Sequence, residues 1–198
     1  MNRKSNIKKC SGKLFLILGP SGSGKGVVIS ALRERFPDGM FPVSCTTRQP
    51  RPGERQGEVY YFISRETFEK RIKNGDFLEW AVVHDDHLYG TLKKPIFDAL
   101  SDGNVLIREV DVQGMHSIVK VLPKKNVVSI FLTTPSWDVL RGRILRRHKE
   151  NEVELSKRRA SYYKEMREAE KCDYIVHSNE GKIPQMVEEV CEILEKER

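Results

Sequence analysis

The stretch Gly19-Pro20-Ser21-Gly22-Ser23-Gly24-Lys25-Gly26 concentrates glycine around one lysine. Between a strand and a helix, such a loop aims successive backbone N–H groups and a helix N-terminus at one point. That is an anion site, and Lys25 adds charge suited to β- and γ-phosphate oxygens. The spacing matches GxxxxGK, but positions 26 and 27 are Gly and Val, so the hydroxyl that normally follows the lysine and binds Mg²⁺ is missing. A second group of residues has phosphate chemistry. In SCTTRQPRPGERQGEVYYF, Arg48 and Arg51 stand three apart with Tyr60 and Tyr61 after them. Planar guanidiniums bind phosphate through paired hydrogen bonds. Composition alone also allows a solvated basic loop.

Asp76-Phe77-Leu78-Glu79-Trp80 places a carboxylate in an apolar, strand-like run. An unpaired charge is expensive there, so Glu79 requires a specific donor. Guanine offers one, because its N2 amino group donates while O6 accepts, and hydroxyls of Ser44 and Thr91 complete a pattern able to read it. Glu109 and Asp111 lie two apart at the end of the run Val105 to Val110, so strand periodicity predicts that both face one side. At the carboxyl end of a parallel strand they can orient hydrated Mg²⁺ or a base edge. The segment Leu140-Arg141-Gly142-Arg143-Ile144-Leu145-Arg146-Arg147, with Arg158 after it, is dense in arginine but lacks interleaved aromatics. This argues against nucleic acid and for cations on a closing lid, where phosphoryl transfer needs them.

These groups need a scaffold. Leu14 to Leu18 is a continuous apolar run ended by Gly-Pro, as in a strand buried on both faces of a parallel sheet. Val27, Val28, Ile29, Ala31, Leu32 and Phe36 then recur at helical spacing. Further runs at Val105 to Val110, Val127 to Leu132 and Tyr174 to Val176 read as strands, with helical patterns at Met115 to Val121, Trp137 to Arg147 and Ile183 to Leu194. The alternation predicts an α/β fold. Residues 43–91, including a helix at Arg65 to Asn74, and the basic stretch 140–159 break the rhythm and read as insertions.

Composition narrows the class. The chain has 198 residues, and 35 basic against 28 acidic residues give a net charge of +7, which suits anionic partners. Cys10, Cys45, Cys172 and Cys191 form no CxxC pair, which argues against zinc and a disulfide framework and for a reducing, cytoplasmic setting. The run after the basic start is too short for a signal core or a membrane span, so no membrane association is expected.

In order and approximate spacing, the glycine-rich loop, VSCTTRQPRPGE, EVYYF, DFLEW, LYGT, EVDVQG, LRGRILRR and Lys157-Arg158 resemble the guanylate kinase family over nearly the whole chain. The resemblance implies a P-loop core of residues 1–42, 96–137 and 164–198, a mixed α/β GMP-binding region at 43–95 and a helical lid at 138–163. It implies transfer of phosphoryl from ATP to GMP, and to dGMP, with Mg²⁺. ATP phosphates would lie on Gly19, Pro20, Ser21, Gly22, Ser23, Gly24, Lys25, Gly26 and Val27. GMP would lie on Ser44, Arg48, Arg51, Tyr60, Glu79, Tyr89, Thr91, Glu109 and Asp111. Catalytic charge would come from Lys25, Arg48, Arg143, Arg147 and Arg158, and Mg²⁺ would be held mainly by phosphate and water, with Asp111 or Glu109 acting through water. Departures are Gly26-Val27, His148 where an Arg-Gly turn is usual, and His177-Ser178-Asn179 where Val-Asn-Asp is common. Two rival readings are a non-catalytic guanylate-kinase-like module, which tends to lose the P-loop, and a kinase of a phosphorylated sugar, which needs no joint use of Ser44, Glu79 and Thr91.

Overall fold

A computed structural model describes residues 11–58, 60–83, 86–147 and 151–198, without the side chains of Val83 and Arg147. Its core is a fully parallel sheet in the order β6-β1-β7-β8, built from β1 (Lys13–Leu18), β6 (Val105–Glu109), β7 (Val127–Thr133) and β8 (Tyr174–His177). Alternation explains the apolar run of β1. Phe15 and Ile17 pack with Val28 and Leu32 of α1 (Lys25–Arg35) and Val190 and Leu194 of α7 (Ile183–Glu197). Leu14, Leu16 and Leu18 face the other way, onto Ile96 and Leu100 of α3 (Lys93–Ser101) and Met115 and Ile118 of α4 (Val112–Val119). With both faces covered, each position must be apolar.

The chain crosses from β6 over β1 to β7, so the carboxyl end of β1 lies where strand order reverses. Ligands of open α/β sheets bind at such a crevice. The glycine-rich loop leaves β1 there. Gly19, Gly22 and Gly24 all adopt positive φ, and a Cβ on Gly19 would stand 2.4 Å from the Leu132 carbonyl oxygen. Close approach to β7 therefore requires glycine at position 19.

A second sheet, in the order β3-β2-β5-β4, contains β2 (Ser44–Thr46), β3 (Tyr60–Phe62), β4 (Phe77–Val83) and β5 (His87–Leu92). Only β2 and β3 run parallel. Its own small core joins Cys45, Phe77 and Leu88 to Phe68 of α2 (Arg65–Lys73), whose ring stacks on Phe77 at 4.3 Å. Ser64 caps α2 by accepting from the Thr67 N–H.

The basic stretch forms α5 (Trp137–Arg147) and α6 (Glu152–Met166), which bury Trp137, Leu140, Ile144, Leu155 and Tyr162 against one another. The departure at His148 lies outside the described residues, as does Cys10. Helix α3 was not expected from the sequence, because its short stripe of Ile96, Ala99 and Leu100 spans too few turns to declare a period. Among the described residues no helix is long and apolar enough to cross a membrane, and Cys45, Cys172 and Cys191 are free thiols. Burial pushes the Cys172 thiol up to about 11.

Gly90 lets β5 close on the small core. A Cβ there would lie 2.9 Å from Phe77 Cδ1 and 3.0 Å from both the Glu79 carbonyl oxygen and Phe68 Cζ. Gly90→Ala is expected to lower stability by about 1–3 kcal/mol in urea unfolding, as overpacking does. An unchanged midpoint would show that the stacked rings move aside freely.

Candidate functional site

Strand register assembles one face of the second sheet. Ser44 pairs with Tyr60, Cys45 with Gly90, Thr46 with Tyr89, and Glu79 with Thr91. One row across the second sheet thus runs Tyr60, Ser44, Thr91, Glu79, with Tyr89 in the adjacent row on the same side. A register shift between Phe77 and Glu79 makes this possible. Without it, residues two apart would share a face. With it, Phe77 enters the small core while Glu79 points away, the re-aiming that a bulge performs.

Glu79 is paired more elaborately than its sequence position predicts. Its Oε1 accepts from the Thr91 hydroxyl and, at 2.8 Å, from Arg108 Nη2. The same Nη2 donates to Ser44 Oγ at 3.1 Å. Arg108 retains 8% of its side-chain exposure and Glu79 13%, so this is a nearly dry ion pair. Burial pulls the Arg108 pKa below arginine's ordinary value, against the opposing pull of Glu79. A guanidinium is not deprotonated in proteins, so the pair remains a pair of charges. Arg108 lies on β6 of the core sheet, whereas Ser44 and Glu79 lie on the second sheet, so one side chain ties the two sheets together.

The donor for Glu79 in the structure is therefore Arg108 together with Thr91. The sequence contained the signal, since a lone arginine in the apolar run Val105 to Val110 needs a counter-ion as much as Glu79 needs a donor. Thr91 stands beside Glu79 as expected, but its hydroxyl proton is given to the carboxylate.

Arg48 is held in place. Its Nη2 donates to both Glu54 carboxylate oxygens, at 3.0 and 2.9 Å, and its guanidinium lies 5.6 Å from the ring centres of Tyr60 and Phe62. The hydrogen bond that Arg48 donates to Glu54 is the main cause of a pKa raised above arginine's ordinary value. The Arg51 N–H donates to Glu54 as well, at 2.8 Å, and chiefly through that bond the carboxyl titrates below its usual range. Glu54 is thus a second participant that the sequence reading did not single out. The Arg51 residue itself is exposed, and the rings of Tyr60 and Tyr89 meet edge to face at 5.5 Å.

At the glycine-rich loop, Lys25 Nζ donates to the Gly19 carbonyl at 2.7 Å and the Pro20 carbonyl at 3.2 Å, and lies 3.6 Å from Glu109 Oε1. Ser23 is fully buried, and its hydroxyl has no hydrogen-bond partner among the described residues. The expectation that Glu109 and Asp111 share a strand face needs correction. β6 ends at Glu109, and Asp111 is the N-cap of α4, its Oδ1 accepting from the Gly114 N–H at 2.7 Å. Periodicity fails beyond the strand end, yet both residues line the same cleft.

That cleft has a volume of about 700 Å³. Gly19, Ser21 and Lys25 line one end, Ser44, Tyr60 and Arg108 the other, and Glu109, Asp111 and Glu165 also contribute to its wall. Burial raises the Glu165 pKa, another feature the sequence did not signal. Of the arginines expected on a lid, Arg158 Nη1 lies 3.4 Å from Ser21 Oγ, facing the glycine-rich loop. Arg143 donates to the Ser178 hydroxyl and carbonyl, each at 2.8 Å, and reaches the Gly22 carbonyl at 3.5 Å. It therefore braces the back of the loop against the segment after β8. The side chain of Arg147 lies outside the described residues, although its backbone ends α5. Among the described residues no three His, Cys, Asp or Glu side chains cluster as metal ligands.

Comparison with known proteins agrees with this geometry. The family profile described as guanylate kinase matches residues 11–197. A guanylate kinase of Thermotoga maritima is 42% identical over 187 residues, 94% of this chain and 88% of the relative. One from Helicobacter pylori (strain ATCC 700392 / 26695) is 41% identical over 163 residues, 82% of this chain and 78% of the relative. The crystal structure of guanylate kinase from Anaplasma phagocytophilum is similar with a TM-score of 0.71 at 28% identity, over 96% of this chain and 87% of that one.

Removing one member of the buried pair strands the other. Glu79→Ala is expected to cost about 3–5 kcal/mol in denaturant unfolding, because Arg108 then remains buried without a counter-ion. Glu79→Gln, which preserves shape and an acceptor oxygen, should cost less. Equal stability of Glu79→Ala and the unmodified protein would show that the pair is solvated in solution.

Proposed function

The chain belongs to the guanylate kinase family of ATP:GMP phosphotransferases, and from that premise we propose how its residues divide the work. The supporting observation is the single cleft that joins the phosphate loop to the face carrying Ser44, Tyr60 and Arg108. ATP phosphates occupy the loop from Gly19 to Val27, with Lys25 turning from the Gly19 and Pro20 carbonyls to the β- and γ-oxygens. GMP places its base on Ser44, Glu79 and Thr91 and its phosphate on Arg48, Arg51, Tyr60 and Tyr89. Since these contacts go to base and phosphate, dGMP is a substrate as well.

A phosphate oxygen of GMP attacks the γ-phosphorus as the bond to the β,γ-bridging oxygen breaks, and that oxygen leaves with ADP. GDP carries the transferred group. The attacking phosphate is already ionised at neutral pH, so no side chain need remove a proton, and catalysis rests on alignment and charge. Lys25 and the lid arginines Arg143, Arg147 and Arg158 supply that charge. The approach of Arg158 to Ser21 supports its share, while Arg143 contributes by fixing the loop. Both nucleotides and reduced thiols belong to the cytoplasm, which is where we place the reaction.

The donor set suits Mg²⁺, which commonly keeps several waters and takes one or two carboxylates beside substrate phosphates. Glu109, with 50% of its side chain exposed next to Lys25, and Asp111 in the same cleft would hold it through water. When bound, the ion neutralises charge on the β- and γ-phosphates. Position 26 has room for a direct ligand, since a Cβ there would meet nothing within 4 Å.

Two measurements test this reading. In a coupled ADP-release assay GMP should greatly outperform AMP as acceptor, because AMP leaves the guanine-reading groups unpaired, a loss that reaches factors of about 10⁴. Equal turnover of the two would overturn the base assignment. In a Mg²⁺ titration at saturating nucleotide, Gly26→Ser should lower the half-saturating concentration. An unchanged or higher value with an intact fold would show that residue 26 does not face the metal.

A further inference from the structure

We propose that Arg108 is a positioning residue that sets the direction of the hydrogen bonds by which guanine is read. The proposal rests on the assignment of Ser44 and Glu79 to the guanine site. A hydroxyl can donate or accept, and a serine free to rotate discriminates poorly between the O6 acceptor of guanine and the N6 amino donor of adenine. Here Arg108 Nη2 donates to Ser44 Oγ at 3.1 Å, so it occupies a lone pair and leaves the O–H for an acceptor. The same nitrogen, at 2.8 Å, and the Thr91 hydroxyl both bond to Oε1 of Glu79. Among the described residues Oε2 has no such partner, so it remains to accept from the donors of guanine. Arg108 thus takes one of the two lone pairs of Ser44, which biases its O–H toward an acceptor, and gives Glu79 one committed and one uncommitted oxygen. That set complements guanine and opposes adenine.

The placement of Arg108 fits this role. Its 8% exposure excludes a loose surface contact, and it reaches from the core sheet to two strands of the other sheet. A guanidinium is suited to this because its donors lie in a fixed plane, whereas an ammonium on a flexible stem has no such fixed fork.

Steady-state kinetics on Arg108→Lys and Arg108→Met, with Ser44→Ala and Glu79→Gln for reference, test the proposal. Arg108→Lys keeps the charge against Glu79 but loses the shared geometry. It should raise KM for GMP about tenfold, the scale of one charge-assisted hydrogen bond. KM for ATP should stay within about twofold, and the preference for GMP over AMP should fall. In a Ser44→Ala background the same substitution should raise KM for GMP by a clearly smaller factor, because the hydroxyl it orients is already gone and only its hold on Glu79 remains to be lost. Arg108→Met should be at least as severe for GMP, and if it does not fold the lysine variant and its double mutant carry the test alone. A lysine variant with a lowered melting temperature but unchanged KM for GMP would show that Arg108 only stabilises the fold and would overturn the proposal. An equal factor with and without Ser44 would overturn it as well. Glu79→Gln separates the two levels of the argument. If it leaves KM for GMP unchanged, the guanine-site reading itself fails; if it raises KM while Arg108→Lys is silent, only the role of Arg108 fails.

Discussion

Arg108 and Glu79 come from different sheets, and neither charge tolerates burial without the other. Moving either out of water costs several kcal/mol unless an opposite charge and further hydrogen bonds compensate. Their contact at 2.8 Å therefore constrains how the second sheet sits on the core, since any slip of β4 against β6 exposes two unpaired charges to an apolar setting. A hydrophobic pair of the same volume could hold the sheets as firmly. An ion pair adds direction, because it also determines which oxygen and which lone pair are left over.

The glycine-rich end of the cleft depends on a different constraint. At Gly19 the backbone approaches β7 too closely for any side chain, and the loop takes positive φ at Gly19, Gly22 and Gly24. That shape leads into α1 at Lys25, whose ammonium is held against the loop's own carbonyls. Arg143 braces the loop from behind through Ser178, and Arg158 faces it from the lid. The two ends meet in one cleft because β1 and β6 are neighbours in the sheet, which carries Lys25 and Glu109 to within 3.6 Å of each other.

Much of this was legible in the residues. The run Leu14 to Leu18 predicted a strand covered on both faces, and β1 is that strand. Trp137 to Arg147 predicted a helix with matching ends, because its apolar positions recur cleanly against a basic background. The turn from β1 into α1 was readable from glycine spacing, since positive φ at Gly19, Gly22 and Gly24 is a local demand. What escaped was non-local. The partner of Glu79 is twenty-nine positions away on another sheet, and only the fold shows that Arg108 reaches it. The shift between Phe77 and Glu79 was equally hidden, because periodicity assumes unbroken pleating. Asp111 was misplaced for the same reason, as a strand rule was carried two residues past the strand end into a helix cap.

In the proposed binding mode one carboxylate, held from below by a buried arginine, meets guanine with its other oxygen. A crystal structure of the protein with GMP tests this most directly. Glu79 Oε1 should remain within about 3 Å of Arg108, while Oε2 lies at hydrogen-bond distance from guanine N1 or N2 and Ser44 Oγ from O6. If Glu79 instead leaves Arg108 to reach the base, or the base binds away from Ser44 and Glu79, the buried pair does not orient guanine.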